Sequence, residues 1–271
     1  MKARFVSILA MAIFCVPTGT LEAFASDRSP VPILVELFTS EGCSSCPPAD
    51  MFLQRLDGQP VAGAELIVLS EHVDYWDHDG WKDPYSSSAF TERQSNYSVR
   101  FHLDSIYTPQ MVVDGNQQFS GGDAKQAQKA ITESLATTKI PVRILEVSSD
   151  GTRLRARVET GALDSSCHVQ AAEVYVALAL NHAESQVLRG ENANRRLTHT
   201  AVVNKLSKVG KIKVGEQFAH EVEMKIDSGA DLHNLRVVAF LQDPASGKVV
   251  GATMRAVETR NPQSGRNQHT N

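Results

Sequence analysis

Cysteine is scarce in this sequence of 271 residues: there are four, and one of them, Cys15, lies in the N-terminal apolar stretch. That excludes a small scaffold stapled by disulfides, which needs many more. An excess of charge is also lacking. Lys and Arg number 27 against 31 Asp and Glu, a net charge of −4, and the basic surplus of a nucleic-acid-binding domain is absent. Beyond the N-terminus no apolar run is long enough for a membrane-spanning helix. A zinc site is poorly served too, because C-x-x-C occurs once and no second Cys pair or His-x₃-His group complements it.

What is present begins with a leader. Lys2 and Arg4 precede an apolar stretch at 5–16, and Ala23-Phe24-Ala25 supplies small residues at the positions a signal peptidase reads. The apolar stretch is too short to span a bilayer, and Phe14 before Cys15 is too bulky for a lipid-anchor site. Residues 1–25 therefore read as a signal peptide, and the mature chain as periplasmic or secreted. The length that remains suits two domains.

The segment 33–38 is apolar and β-prone, a buried strand. After the Cys43-Ser44-Ser45-Cys46-Pro47-Pro48 motif, Ala49, Phe52, Leu53 and Leu56 recur at helical spacing. A second strand spans 65–73. A polar, aromatic block at 74–85 holds both tryptophans, and a helix follows with Phe90, Tyr97 and Phe101 facing inward. Pro109 leads into a third strand, Asp114-Gly115 signals a tight turn, and 117–120 returns as a hairpin partner. Asp123 caps a helix carrying Ala127, Ile131 and Leu135 on one face. The order over 33–138 is β-α-β-α-β-β-α. From 142 to 258 the pattern changes to short strands at 142–148, 152–159, 172–180, 199–206, 219–226, 235–242 and 248–255. That reads as an all-β, sandwich-like second domain. Residues 259–271 read as a flexible tail.

The chemistry centres on Cys43 and Cys46. A free thiol is only about 3% thiolate at neutral pH, and the thiolate is the attacking species. A helix N-terminus offers unpaired N–H groups and the positive end of a dipole, which makes Cys43 the acidic, accessible nucleophile and Cys46, a turn later, the resolving thiol. A structural disulfide is the competing reading, although so short a loop constrains the unfolded chain little. Thr108-Pro109 at the start of the third strand is read as a cis peptide against the cysteines, with the Thr108 main chain free to pair with substrate.

These features together resemble the thioredoxin superfamily. More narrowly, Val35-Glu36-Leu37-Phe38-Thr39-Ser40-Glu41-Gly42-Cys43-Ser44-Ser45-Cys46-Pro47-Pro48-Ala49-Asp50, the Tyr75-Trp76-Asp77 and Gly80-Trp81 block, Tyr107-Thr108-Pro109-Gln110, Gly190-Glu191-Asn192 and Leu197-Thr198-His199 look like a family of secreted bacterial proteins grouped as a domain of unknown function. The resemblance implies an α/β thioredoxin-like fold, to which the strand pattern adds the sandwich-like domain that follows, and it implies no substrate. It departs from ordinary thioredoxins in the Ser-Ser dipeptide and in the longer segment before Thr-Pro.

The resulting expectation is an exported thiol–disulfide oxidoreductase needing no dissociable cofactor. It would act on protein or small thiol/disulfide substrates with an unidentified redox partner, would bind no nucleic acid, and would have no membrane span once the leader is removed. The alternatives are a non-catalytic binding module with a structural Cys43–Cys46 disulfide, and metal delivery through Cys43, Cys46 and His72. Glu36 is the candidate proton acceptor for Cys46, with a solvent-facing strand residue as the plain alternative. Tyr75, Trp76 and Trp81 form a candidate substrate lip, in competition with a self-packed loop or a metal site using His72, Asp74, Asp77, His78 and Asp79. Cys167 is left over. Glu191, Arg195, Arg196 and His199 are either a solvated loop or a docking surface against the first domain or a partner.

Overall fold

The apolar run near the start becomes β1 (Val31–Thr39), buried from its third residue onward. The computed structural model that shows this describes residues 29–257; the leader at 1–25 and the tail at 259–271 lie outside the described residues. Cys46 is the N-cap of α1 (Pro47–Gly58), and the two prolines occupy its first turn, where a missing N–H costs nothing. β2 (Ala64–His72) runs parallel to β1, with Val35 opposite Val68. The Ser87 hydroxyl caps α2 (Ser88–Arg100) by accepting from the Ala89 N–H. β3 (Gln110–Val113) turns through Asp114 and Gly115, both at positive φ, into β4 (Gln117–Ser120). The Asp123 carboxylate then accepts from the N–H groups of Lys125 and Gln126 to start α3 (Ala124–Ser134). Element for element, this is the order read from the sequence.

The second segment supplies β5 (Val142–Ser149), β6 (Arg153–Thr160), β7 (Ala171–Gln186), β8 (Arg196–Lys213), β9 (Ala219–Lys225), β10 (Leu235–Gln242) and β11 (Val249–Ala256). All seven expected strands are present, but their arrangement differs from a self-contained sandwich. β7, β8, β10 and β11 extend the first segment's sheet into eight strands ordered β11-β10-β7-β8-β2-β1-β3-β4. The junction is parallel, with Ser70 of β2 beside Val202 of β8. β5, β6 and β9 form a small antiparallel sheet packed on one face of β7 and β10, where Leu154, Ala156 and Val158 meet Val174, Val176 and Val237. The architecture is mixed α/β with one sheet running through both segments.

The physical reason is the free edge of β2, whose unpaired N–H and C=O groups need a partner. β8, at 18 residues, is long enough to pair with β7 along its length and still reach that edge. Irregular register near Leu178 and a left-handed Ala201 (φ 51°) bend the β7–β8 ribbon there. Ala201 thereby joins the core formed by Ile33, Val35 and Leu37 of β1, Ala49, Phe52 and Leu53 of α1, and Ala127 and Ile131 of α3. On the opposite face Leu34 and Leu69 pack with Phe90 of α2 and with Val238 and Phe240 of β10. Polar ties cross the same boundary: Arg236 of β10 grips Asp57 of α1 through two bonds of 2.7 and 2.9 Å, and Lys139 joins Asp114 at 2.7 Å.

Candidate functional site

β1 ends at Thr39, the chain turns through Ser40–Gly42, and Cys43 follows with its N–H on the Ser40 carbonyl at 3.2 Å. The Cys46 N–H bonds the Cys43 carbonyl, and the Cys46 carbonyl accepts from both Ala49 and Asp50 as α1 begins. Cys43 and Cys46 are joined as a disulfide, Cα atoms 5.4 Å apart. The Ser45 hydroxyl lies 3.3 Å from the Cys43 sulfur. Gly42 is required by space alone: a Cβ there would stand 2.9 Å from Trp76 Cβ, so the 73–86 loop packs directly against the residue before Cys43.

The expectation of an accessible Cys43 is not met. Cys43 is 1% exposed and Cys46 is fully covered. The cover comes partly from the second segment. Asn192, itself buried, donates from Nδ2 to the carbonyls of both Glu41 and Cys43 at 2.9 Å. Arg195 donates to the other end of that carboxamide at 2.7 Å, and the Glu191 carboxylate accepts the Ser44 N–H at 3.0 Å. Glu191, Asn192 and His199 thus bond the first segment, while Arg195 holds Asn192 and Arg196 pairs with Glu184.

Beside the turn sits a buried cluster of titratable groups. His199 of β8 reaches Glu41 through Nε2 at 3.2 Å and faces Asp50 at 3.8 Å through Nδ1. Glu41 also accepts from Trp81 Nε1 at 2.8 Å. The His72 and His199 rings meet edge to face, 4.7 Å between centroids. Asp83 lies 2.7 Å from His72 Nδ1 and accepts the Glu41 N–H. Burial opposes the charge of Asp83, but His72 prevails and its carboxyl is lowered. Burial likewise opposes the His72 charge, and Asp83 raises its pKa nonetheless. Asp50 is the contrasting case. Burial pushes its carboxyl up, and the attraction of His199 and His72 does not cancel that. It lies one helical turn after Cys46, on the same side of α1.

The candidates from sequence fall into two places. Thr108–Pro109 is cis. Pro109 is buried and, with Leu37 and Ala49 of the first turn of α1, closes on Gly121, whose Cβ would meet each of the three within 3.1 Å. Thr108 accepts from Trp76 Nε1 at 2.7 Å. Trp76 and Trp81 are therefore anchored by their indole N–H groups, and Tyr75 packs with Trp76 toward Phe38 and Tyr97, so the loop is seated on the body of the first segment with all three residues partly exposed. Glu36 is elsewhere. Alternation along β1 puts Ile33, Val35 and Leu37 on the α1 face and Glu36 on the α2 face. There Glu36 is fully buried, 2.6 Å from Arg93 Nε and from the Tyr97 hydroxyl.

Glu71 shares that pocket, 3.5 Å from Arg93. Burial, then the neighbouring Glu36, hold its carboxyl well above the ordinary range. A carboxyl raised on folding makes the folded state the better proton binder, so stability falls as pH climbs from about 4.3, the unfolded value, through the folded one. Glu71→Gln removes that loss. Urea unfolding is expected to show the variant gaining on the parent between pH 4 and pH 8, and a gain that shrank with rising pH would contradict the assignment.

Sequence reasoning did not single out Asn192, Asp50, Glu41 or Asp83 as site residues. Among the described residues no group of three or more His, Cys, Asp or Glu has a metal-holding arrangement; His78 and Asp79 are exposed, while Asp77 bonds Ser86 and the Asp83 N–H. Cys167 is a free, half-buried thiol in a short turn, raised by burial and by Asp164. No helix among the described residues is long and apolar enough to cross a membrane.

Residues 34–242 match the model of DUF1223, a protein family of unknown function, and the chain belongs to that family. No curated protein matches it. Among solved structures it is similar to protein AGR_C_4864 from Agrobacterium tumefaciens, with 26% identity, a TM-score of 0.64, and 85% of this chain and 96% of that one covered. It is also similar in fold to HBP35 of Porphyromonas gingivalis, with 13% identity, a TM-score of 0.66, and 90% and 81% covered.

Proposed function

We propose that this DUF1223 member is an exported thiol–disulfide oxidoreductase with a thioredoxin-like first half. The observation that carries the reading is the Cys43–Cys46 disulfide at the N-terminus of α1, with Pro109 packed against the same turn. In the reduced protein the Cys43 thiolate attacks a substrate disulfide, forming a Cys43–substrate bond and releasing a substrate thiolate that takes a proton from water. Cys46 then gives its proton to a base and attacks the Cys43 sulfur, which re-forms the protein disulfide and releases the second substrate thiolate. Two electrons pass to the substrate, and a dithiol partner must return them; the reverse sequence oxidises a dithiol. Asp50, raised by burial and one turn beyond Cys46, replaces Glu36 as the base for this step. Thr108, Tyr75, Trp76 and Trp81 would border the substrate, and no dissociable cofactor takes part.

A second reading has one specific observation in its favour: both cysteines are shielded from solvent. On that reading the disulfide is structural and the protein is a binding module. Equilibration of the mature chain with thiol redox buffers separates the two. A potential above about −300 mV is expected for a pair that turns over, and a lower value marks a structural bond.

A further inference from the structure

We propose that the tip of the β7–β8 hairpin, residues 187–195, governs the reactivity of the pair: Asn192 clamps the backbone on both sides of Gly42 and closes access to Cys43, and Glu191 occupies the Ser44 N–H that a Cys43 thiolate would otherwise draw on. This deepens the thiol-exchange reading and rests on it.

The clamp is a built feature. The Asn192 carboxamide is completely buried, both of its Nδ2 bonds end on carbonyls of the turn, and Arg195 satisfies its oxygen. Gly190 adopts φ +77°, and a Cβ there would approach Asp79 O at 3.0 Å and Trp81 Cβ at 3.2 Å, so the tip is seated on the aromatic loop as well. Leu188 in the same tip is 66% exposed, an apolar side chain offered to whatever lifts it.

The electrostatic part follows from which group owns the donor. At the start of a helix an anion is stabilised by the free N–H groups. Here the Ser44 N–H is already spent on a carboxylate, and hydrogen bonding to Ser44 holds the Glu191 carboxyl below its ordinary value. A second negative charge at Cys43 must compete for that donor and face Glu191. The other charges around the turn are Glu41, Asp50, His72, Asp83 and His199 behind it, largely paired among themselves, and Arg195, held by Asn192. Glu191 therefore favours the protonated thiol and, with it, the oxidised pair. A thiol substrate gains the disulfide by lifting the tip, which removes both the clamp and the carboxylate.

The test uses the full mature chain. With Cys46→Ser and Cys167→Ser together leaving position 43 as the single reporter thiol of the mature chain, iodoacetamide alkylation is followed against pH. Adding Glu191→Gln is expected to move the midpoint down, with about threefold more thiolate below it, a modest shift for a like charge at a solvated surface. High salt shrinks the difference. Asn192→Ala, in the otherwise unaltered oxidised chain, speeds reduction by dithiothreitol. Glu191 is exposed, so its variant folds even if the Asn192 variant does not. Superimposable alkylation profiles with and without Glu191→Gln overturn the proposal. A shifted profile in a protein that fails to exchange thiols sustains it and sinks the oxidoreductase reading instead.

Discussion

Cys46→Ser is expected to stop exchange after its first step: mixed disulfides accumulate on Cys43, and Cys43→Ser reduces turnover to the rate of a control without protein. The asymmetry comes from position. Both are buried in the resting disulfide, but Cys43 lies in the turn before the helix, under the Glu191–Asn192 tip that would lift to uncover it, whereas Cys46 is the N-cap of α1. The thiol behind the turn resolves an intermediate formed by its neighbour more readily than it meets an outside disulfide. Neither variant should unfold the protein. A disulfide closing so short a loop contributes only about 2 kcal/mol by loop entropy. Non-reducing electrophoresis of the Cys46→Ser protein recovered from cells, followed by mass spectrometry of what it traps, measures the effect. Equal trapping by the two single variants would remove the assigned roles.

Arg93→Met is expected to be the most destabilising single change outside the Cys43–Cys46 turn, by about 3–5 kcal/mol, the cost of leaving a buried carboxylate without its partner. Arg93 donates to Glu36, to Gln242 and to the Tyr97 hydroxyl. Its guanidinium also lies within 5.5 Å of the ring centres of Tyr97, Tyr175 and Phe240. Burial alone would lower its pKa, yet Glu36 drives it further up, so it carries its charge throughout. Met preserves much of the volume, which isolates the charge. Adding Glu36→Gln to Arg93→Met should restore a large share of the loss, because the stranded anion is gone. Urea unfolding of the two variants measures this, and an unimproved double variant would show that packing across α2, β7 and β10 is what Arg93 provides.

The same cluster shows why Glu36 could not be placed from sequence. In a half-buried strand the polar residues mark one face, but β1 is buried on both faces and its string of apolar residues hides the alternation. Glu36 shares its face with Leu34 and Phe38, toward α2, and not with Leu37, toward α1. Asp50 carried a weaker signal: an acidic residue in the first turn of a helix reads as favourable to the dipole, and nothing local says that it is buried. The aromatic block was recognisable as a distinct insertion, but whether its rings face substrate or the protein depended on where Glu41 and Thr108 lie in space.

Local chemistry determined the elements. Apolar runs, the Pro-Pro helix start, the Ser87 and Asp123 caps, the Asp114-Gly115 turn and the C-x-x-C spacing act over a few residues, and their outcome is written in neighbouring side chains. Tertiary structure alone decided the partners. The edge of β2 takes β8 from 132 residues away, Ser70 beside Val202, and through that pairing Asn192, Glu191 and His199 arrive at a cysteine turn from which they are distant in the chain. Backbone pairing between strands is nearly indifferent to side-chain identity, so no motif could announce it; it is set by which edge is free, how far the ribbon reaches, and what the two faces can bury together.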